Sequence, residues 1–351
     1  MVTDLVFHEM FLKHVISHGH PERPERVQRS LETIREAGLL EREVRLLTPT
    51  LPDTRPLLRI HGKDYLQSLE RMSKMGGGYF TPDTAGNPYT YEAALLAASG
   101  GIEAVKRIRQ DASNNAYVMC RPPGHHAERS RALGFCFINN IAVAAQYLVD
   151  ELDTKRVMIV DYDAHHGNGT QNAFYDTEQV LYVGLHQDGR TLFPGTGYPD
   201  EIGEGKGRGY NVNLPLHPGA GDRDYELLFE RVIEPIGEVY KPEFVLVSAG
   251  FDCHFDDPLT NLGLSLRGIA AMNRRITRLA KSHSRGRVAF FLEGGYNLDV
   301  MARASLNLVE ELTGRDVTDY DEGHVKTSGR IEETDRLADY VERKLHDWFF
   351  D

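Results

Sequence analysis

Strand-like and helix-like stretches alternate along this chain, and the alternation leaves few folds open. Short apolar, β-branched runs occupy residues 116–120, 156–160, 180–185, 210–214, 244–247 and 288–292. Longer stretches of helical period fill residues 24–37, 91–109, 138–151, 223–240, 266–281 and 300–312. Strands that alternate with helices build a parallel sheet with helices on both faces. The runs are apolar almost throughout, as strands covered on both sides must be. Pro24 suits the first turn of its helix, where a missing N–H costs nothing. Gly-rich stretches at 75–78 and 203–209 are expected to be loops. The 351 residues fit one large α/β core, and no internal repeat or low-complexity linker divides them.

Polar residues cluster where the apolar runs stop. Arg121-Pro122-Pro123-Gly124-His125-His126 follows one run, and Asp161-Tyr162-Asp163-Ala164-His165-His166-Gly167 follows the next. His186 follows Leu185, Ala249-Gly250-Phe251-Asp252 follows Val247, and Glu293-Gly294-Gly295-Tyr296 follows Leu292. Open α/β sheets bind ligands outside the carboxyl ends of their strands. Five distant segments are therefore expected to meet in one crevice. Asp163-x-His165 offers an oxygen and a nitrogen ligand from a single loop, and Asp252 is placed to add a third. Three protein ligands with an open position is the pattern of catalytic zinc, whereas structural sites are closed by four. Oxygen-rich ligation also admits Fe2+ or Co2+. His166, Gly167 and Asn168 come next, with no acid to hold a second ion, so a single metal is expected. Taken one at a time these features are weak. An Asp-x-His or a His-His pair can be a packed loop, Tyr296 a rim tyrosine, and Phe135 or Phe193 plain core.

Composition removes other functions. Hydrophobic residues make up 41% and charged residues 26%, and no apolar run could span a bilayer, so no membrane association is expected. The N-terminus lacks the layout of a secretory signal, and Cys120, Cys136 and Cys253 are an odd number at wide spacings. Reduced thiols in a cytoplasmic protein are expected. The net charge is −12 without a basic run, which disfavours direct nucleic-acid binding and leaves weak attraction for cationic substrates.

Together the motifs resemble those of the histone deacetylase and acetylpolyamine amidohydrolase superfamily. The matching segments are HPERPERV from His20, RPPGHHA from Arg121, GFCFINN from Gly134, DYDAHHGNGTQ from Asp161, FPGTG from Phe193, SAGFD from Ser248 and LEGGYN from Leu292. They run in family order over roughly residues 8–315, and RPPGHHA, HHGNGTQ and LEGGYN are similar to the class II branch. Class I enzymes usually carry Asp where Asn168 stands. The resemblance implies an arginase/deacetylase-type three-layer α/β/α fold around a mostly parallel sheet of about eight strands. Arginases have a further acid two residues beyond their Asp-Ala-His, and here that residue is Gly167.

Roles follow from the resemblance. Zinc would sit on Asp163, His165 and Asp252. His126 resembles the general base, His125 its partner tuned by Asp161, and Asn168 a partner of His126. Tyr296 resembles the donor to the developing oxyanion. Phe135 and Phe193 resemble the walls around a four-carbon stem, and Gly134 the backbone acceptor for the substrate amide. Leu259 and Asp83 belong to the rim. A structural potassium ion would use backbone carbonyls of Asp161, Asp163, His165 and Leu185. The family's serine ligand for that ion is replaced by Gly184.

The expected activity is hydrolysis of an acetyl or other acyl amide on lysine, in a protein, a peptide or an acylated small amine. An acetylpolyamine amidohydrolase is the alternative, but the residue after Asp257-Pro258 is Leu259, where polyamine-selective relatives are acidic. Asp83 and Asp256 could still supply rim charge. A non-catalytic acyl-lysine binding module is the alternative of another class, and the presence of Tyr296 argues against it. Residues 1–315 are expected to form the deacetylase domain. Residues 316–351 carry no family motif, but Leu337, Tyr340, Val341, Lys344 and Leu345 have helical spacing. That extension is expected to pack on the same domain or at an oligomer contact, and a homo-oligomer is expected.

Overall fold

The computed structural model describes residues 2–40, 42–323 and 329–350. Ten strands follow in chain order: β1 (Thr3–Val6), β2 (Val44–Leu47), β3 (Gly78–Thr81), β4 (Thr84–Gly86), β5 (Asn115–Val118), β6 (Val157–Asp161), β7 (Val180–Gln187), β8 (Asn211–Leu216), β9 (Phe244–Ala249) and β10 (Val288–Leu292). Eight of them form one sheet in the order β2-β1-β5-β10-β9-β6-β7-β8, and every neighbouring pair is parallel. β3 and β4 make a separate antiparallel hairpin.

The inner strands are buried at every position, which explains their unbroken apolar sequence. Each fully buried Val, Leu or Phe contributes about 1.5–3 kcal/mol of hydrophobic stabilisation. Helices Thr90–Arg109 and Asn140–Asp150 pack together on one face, and Glu25–Glu36, Leu266–His283 and Leu298–Thr313 form a packed row on the other. Gly101 lets the helix Thr90–Arg109 lie close to the sheet, because a Cβ there would meet Phe291 at 2.5 Å. Asn139, Ser265 and Asn297 cap their helices by accepting backbone N–H groups of the first turn.

The topology decides where chemistry can sit. The chain passes from β5 to β6 over the places that β9 and β10 fill later. Asp161 pairs in register with Ser248, and Leu292 with Ala249, so the strand ends lie level. The loops after β5, β6, β9 and β10 therefore rise side by side.

The apolar runs and helical periods read from the sequence match these elements with ends shifted by a few residues. β1 and β2 went unread because each is four residues long and carries a charge, Asp4 or Arg45. Asp4 is fully buried on β1, one strand in from the edge strand β2, and its charge is met by Arg45 and Arg107. Gly78 begins a strand instead of ending a loop. His186 lies inside β7, not after it. The stretch 223–240 is interrupted by a π turn at Phe229–Ile233, next to Pro235, which lacks the N–H an α ladder needs.

Beyond residue 315 the chain forms the helix Ile331–Lys344, with Ala338, Val341 and Leu345 buried against the rest of the chain. Arg231 holds it by pairing with Asp335, Asp339 and Glu342. Residues 324–328 and 351 of the extension lie outside the described residues. Among the described residues no helix is long and apolar enough to cross a membrane.

Candidate active site

His165 stands at the centre of the crevice. Its Nδ1 lies 3.1 Å from Asp163 Oδ1 and 3.0 Å from Asp252 Oδ2. The three ligand atoms fall within 4.8 Å of one another, and all three residues are largely buried. The remaining carboxylate oxygens are already used. Gly294 N–H donates to Asp163 Oδ2 at 2.7 Å, and Ala164 N–H to Asp252 Oδ1 at 2.9 Å. One oxygen of each carboxylate is thereby left turned toward the imidazole nitrogen. Two anionic oxygens and one imidazole nitrogen fit a divalent cation such as zinc, with the outer oxygens oriented as supporting partners of metal ligands are. Glycines make the approach possible. A Cβ on Gly294 would meet Asp252 Oδ2 at 2.2 Å, and one on Gly250 would meet Asp163 Oδ2 at 2.1 Å.

The two histidines after β5 have opposite electrostatics. His125 donates from Nδ1 to Asp161 Oδ2 at 3.0 Å. Burial pulls its pKa down, but Asp161, Asp163 and Glu293 outweigh burial and hold it at about 10. His126 is held well below the usual histidine range, first by burial and then by the charges of His125 and His165. Its Nδ1 lies 2.7 Å from Asn168 Oδ1. Asn168 Nδ2 donates to Glu128 at 2.8 Å, which fixes the amide orientation and makes Oδ1 the acceptor. The His126 proton therefore sits on Nδ1, and Nε2 keeps a free lone pair.

Aromatic rings complete the pocket. Phe193 packs edge-on against His126 at 5.1 Å, and Phe135 against Tyr296 at 5.9 Å. Gly134 has φ +53°, and a Cβ there would strike His126 at 2.4 Å, so only glycine brings this backbone to the histidine. Burial pushes the Tyr296 phenol well above its ordinary pKa, so it stays protonated. The hairpin meets the pocket where Thr84 Oγ1 accepts from Phe135 N–H. Asp83 is exposed there and accepts from the hydroxyls of Thr81 and Thr84. Leu259 lies 36% exposed and donates its N–H to Asp257. Leu185 is buried within β7. A Cβ on Gly184 would meet the Tyr182 hydroxyl at 2.7 Å. That hydroxyl accepts from Gly167 N–H and lies 3.4 Å from Asp161, so any side chain at position 184 would have to displace the Tyr182 ring.

Three carboxylates of the site were not singled out in the sequence. Glu293 is fully buried and accepts from the N–H groups of Gly124 and His125. Glu128 orients Asn168, and Asp257 accepts from Tyr296 N–H at 2.7 Å. Glu293 and Glu128 lie inside or beside quoted motifs, so adjacency was the available signal.

Fold and site together give an open α/β sheet with a candidate divalent-cation site at its strand ends. The histone deacetylase domain model matches residues 20–312, and the chain belongs to that family. It is 42% identical over 320 residues to a probable deacetylase of Archaeoglobus fulgidus, covering 91% of this chain and 88% of that protein. It is 38% identical over 296 residues to a histone deacetylase-like amidohydrolase of Pseudomonas aeruginosa, covering 84% and 77%. The crystal structure of the HDA15 HD domain superposes with a TM-score of 0.89 at 33% identity, over 99% of this chain and 95% of that one. The fold is thus the deacetylase fold, with an all-parallel eight-stranded sheet.

Proposed function

We propose that this chain is a zinc-dependent hydrolase that removes acetyl or related acyl groups from lysine side chains. The observation that carries the reading is the meeting of Asp163, His165 and Asp252 beside a neutral imidazole, between two aromatic walls. The names of the archaeal and Pseudomonas relatives, a deacetylase and an amidohydrolase, support the same class.

Asp163, His165 and Asp252 would hold the zinc ion. Bound there, zinc supplies Lewis acidity to an amide carbonyl and lowers the pKa of a water molecule. The other steps belong to the chain. His126 Nε2 is the free acceptor and takes the proton of the attacking water, while Nδ1–H stays on Asn168. It then returns that proton to the departing amine. His125, protonated and paired with Asp161, serves as a fixed positive charge. Tyr296 donates its phenolic hydrogen to the oxygen on which charge develops. Phe135 and Phe193 grip an aliphatic stem, and the Gly134 carbonyl accepts from the substrate N–H. Residues 1–315 hold the metal ligands, the base and the tyrosine, and the described part of the extension after them packs on the same unit.

Acyl-lysine is favoured over acylpolyamine by the rim. A distal ammonium needs an anion, and position 259 offers leucine. Asp256 is engaged by Asn297, and Asp83 by two hydroxyls. The zinc form should cleave acetyl-lysine peptides faster than acetylated polyamines when both are assayed side by side. Preferential cleavage of the polyamines would overturn the substrate assignment, and binding without cleavage of either would favour a binding module.

A further inference from the structure

The extension ends up beside the active site, through a residue outside the stretch matched by the family model. Its first part is fastened to the body of the chain. Thr318 donates through N–H and Oγ1 to Glu310, both at 2.7 Å, Asp319 accepts from Arg267 at 2.7 Å, and Tyr320 stacks under Arg303 at 5.1 Å. Glu322 follows. Its Oε1 lies 2.6 Å from His254 Nε2, and its Oε2 accepts from Leu266 N–H at 2.7 Å. His254 is buried and lies two residues beyond Asp252.

The hydrogen bonds fix the direction of this contact. Asp256 N–H donates to His254 Nδ1 at 3.1 Å, so the ring hydrogen is on Nε2 and points at Glu322. The loop that His254 steadies is the one that grips the tyrosine. Asp256 accepts twice from Asn297 Nδ2, at 2.9 and 3.1 Å. Asp257 accepts from Tyr296 N–H at 2.7 Å and from Leu259 N–H at 2.9 Å. Glycine precedes Tyr296 with φ +114°. Arg26 holds the preceding backbone through Gly295 O and Glu293 O, and the Asp256–Asp257 turn supports the loop from the other side, at Tyr296 N–H and Asn297.

We propose that Glu322 is a positioning residue for Tyr296, acting through His254 and the Asp256–Asp257 turn. This rests on the oxyanion role proposed for Tyr296. The extension is then part of the catalytic apparatus and not only a cover for the sheet edge. A misplaced phenol weakens the transition state more than the ground state, so the loss falls on kcat.

The test is a double-mutant cycle in the full-length zinc protein, with zinc content, kcat and KM on an acetyl-lysine peptide measured for each variant. Glu322→Ala should lower kcat roughly tenfold, with KM nearly unchanged and zinc at one equivalent. Glu322→Gln keeps a carbonyl acceptor for His254 Nε2–H and should recover most of that loss. In a Tyr296→Phe background, Glu322→Ala should add little, because the hydroxyl it positions is gone. An unchanged kcat in Glu322→Ala, or the same loss with and without the hydroxyl, overturns the proposal. If Tyr296→Phe itself keeps full turnover, the oxyanion reading fails and takes this proposal with it. If Tyr296→Phe is impaired while Glu322→Ala is not, only the positioning role fails.

Discussion

Each catalytic assignment comes down to where one hydrogen sits. Tyr296 is useful only as a donor, and burial keeps its phenol protonated. Tyr296→Phe should therefore cut turnover by roughly 10²–10³ while the affinity for an acetyl-lysine ligand stays near wild type. An unchanged rate would remove the tyrosine from the mechanism. His126 must be neutral to act as a base. Burial and the positive His125 both lower its pKa, so the active form persists below the ordinary histidine range and is lost as pH falls through the lowered value. Replacing His125 by Asn deletes a positive neighbour and should move the acidic limb of kcat/KM toward higher pH. A limb that stays in place, or moves to lower pH, contradicts that coupling. The sequence placed the two histidines and the tyrosine, because residues at strand ends are legible as such. Strand-end placement alone does not tell the two histidines apart, and the choice of His126 as base comes from the family resemblance. The physical difference between them rests on Asn168 meeting His126 and Glu128, and on Asp161 meeting His125, across gaps of about forty residues.

Strand ends and their glycines set the geometry of the metal loops. Gly294 opens the turn after β10, and its N–H reaches Asp163. Gly294→Ala puts a methyl 2.2 Å from Asp252 Oδ2 and should expel zinc along with activity. Elemental analysis reading a full equivalent of zinc in that variant would show that the loop can yield. In the sequence the Gly294-Gly295 pair reads as an ordinary turn. Its real constraint, a carboxylate where a Cβ would go, comes from β6 and β9 being level with β10. The inner strands were legible because burial on both faces leaves one kind of sequence. β1 and β2 were not, since each is only four residues long and carries a charge, Asp4 or Arg45, that breaks the apolar pattern.

Across the molecule, some buried groups must stay uncharged, and two histidines are the clearest of them. His61 is buried, with Nδ1 on Glu128 O and Nε2 accepting from Asn139 N–H. Burial lowers His61 and His186 to about 4, against 6.5 for a free histidine. Because the folded pKa lies below the unfolded one, their stabilisation is complete above pH 6.5 and is lost as pH falls toward 4. The loss amounts to about 3 kcal/mol for each at most. The thermal midpoint should fall over that window, and His61→Gln should flatten the fall. A midpoint that is level from about pH 7 to 4.5 contradicts this account of the interior.

The same whole-molecule scale carries the claim on which the rest depends. Two carboxylates and one imidazole fit one divalent ion, and among the described residues they are the one group of His, Cys, Asp and Glu side chains placed to hold a metal. The direct measurement is a titration of zinc into the metal-free protein, followed by hydrolysis of an acetyl-lysine peptide and by elemental analysis. Activity should be absent without metal, rise linearly and level off at one equivalent per chain, and Asp252→Ala should neither retain zinc nor turn over. Full activity in the metal-free protein, or a plateau reached only at two tightly held ions, would contradict it.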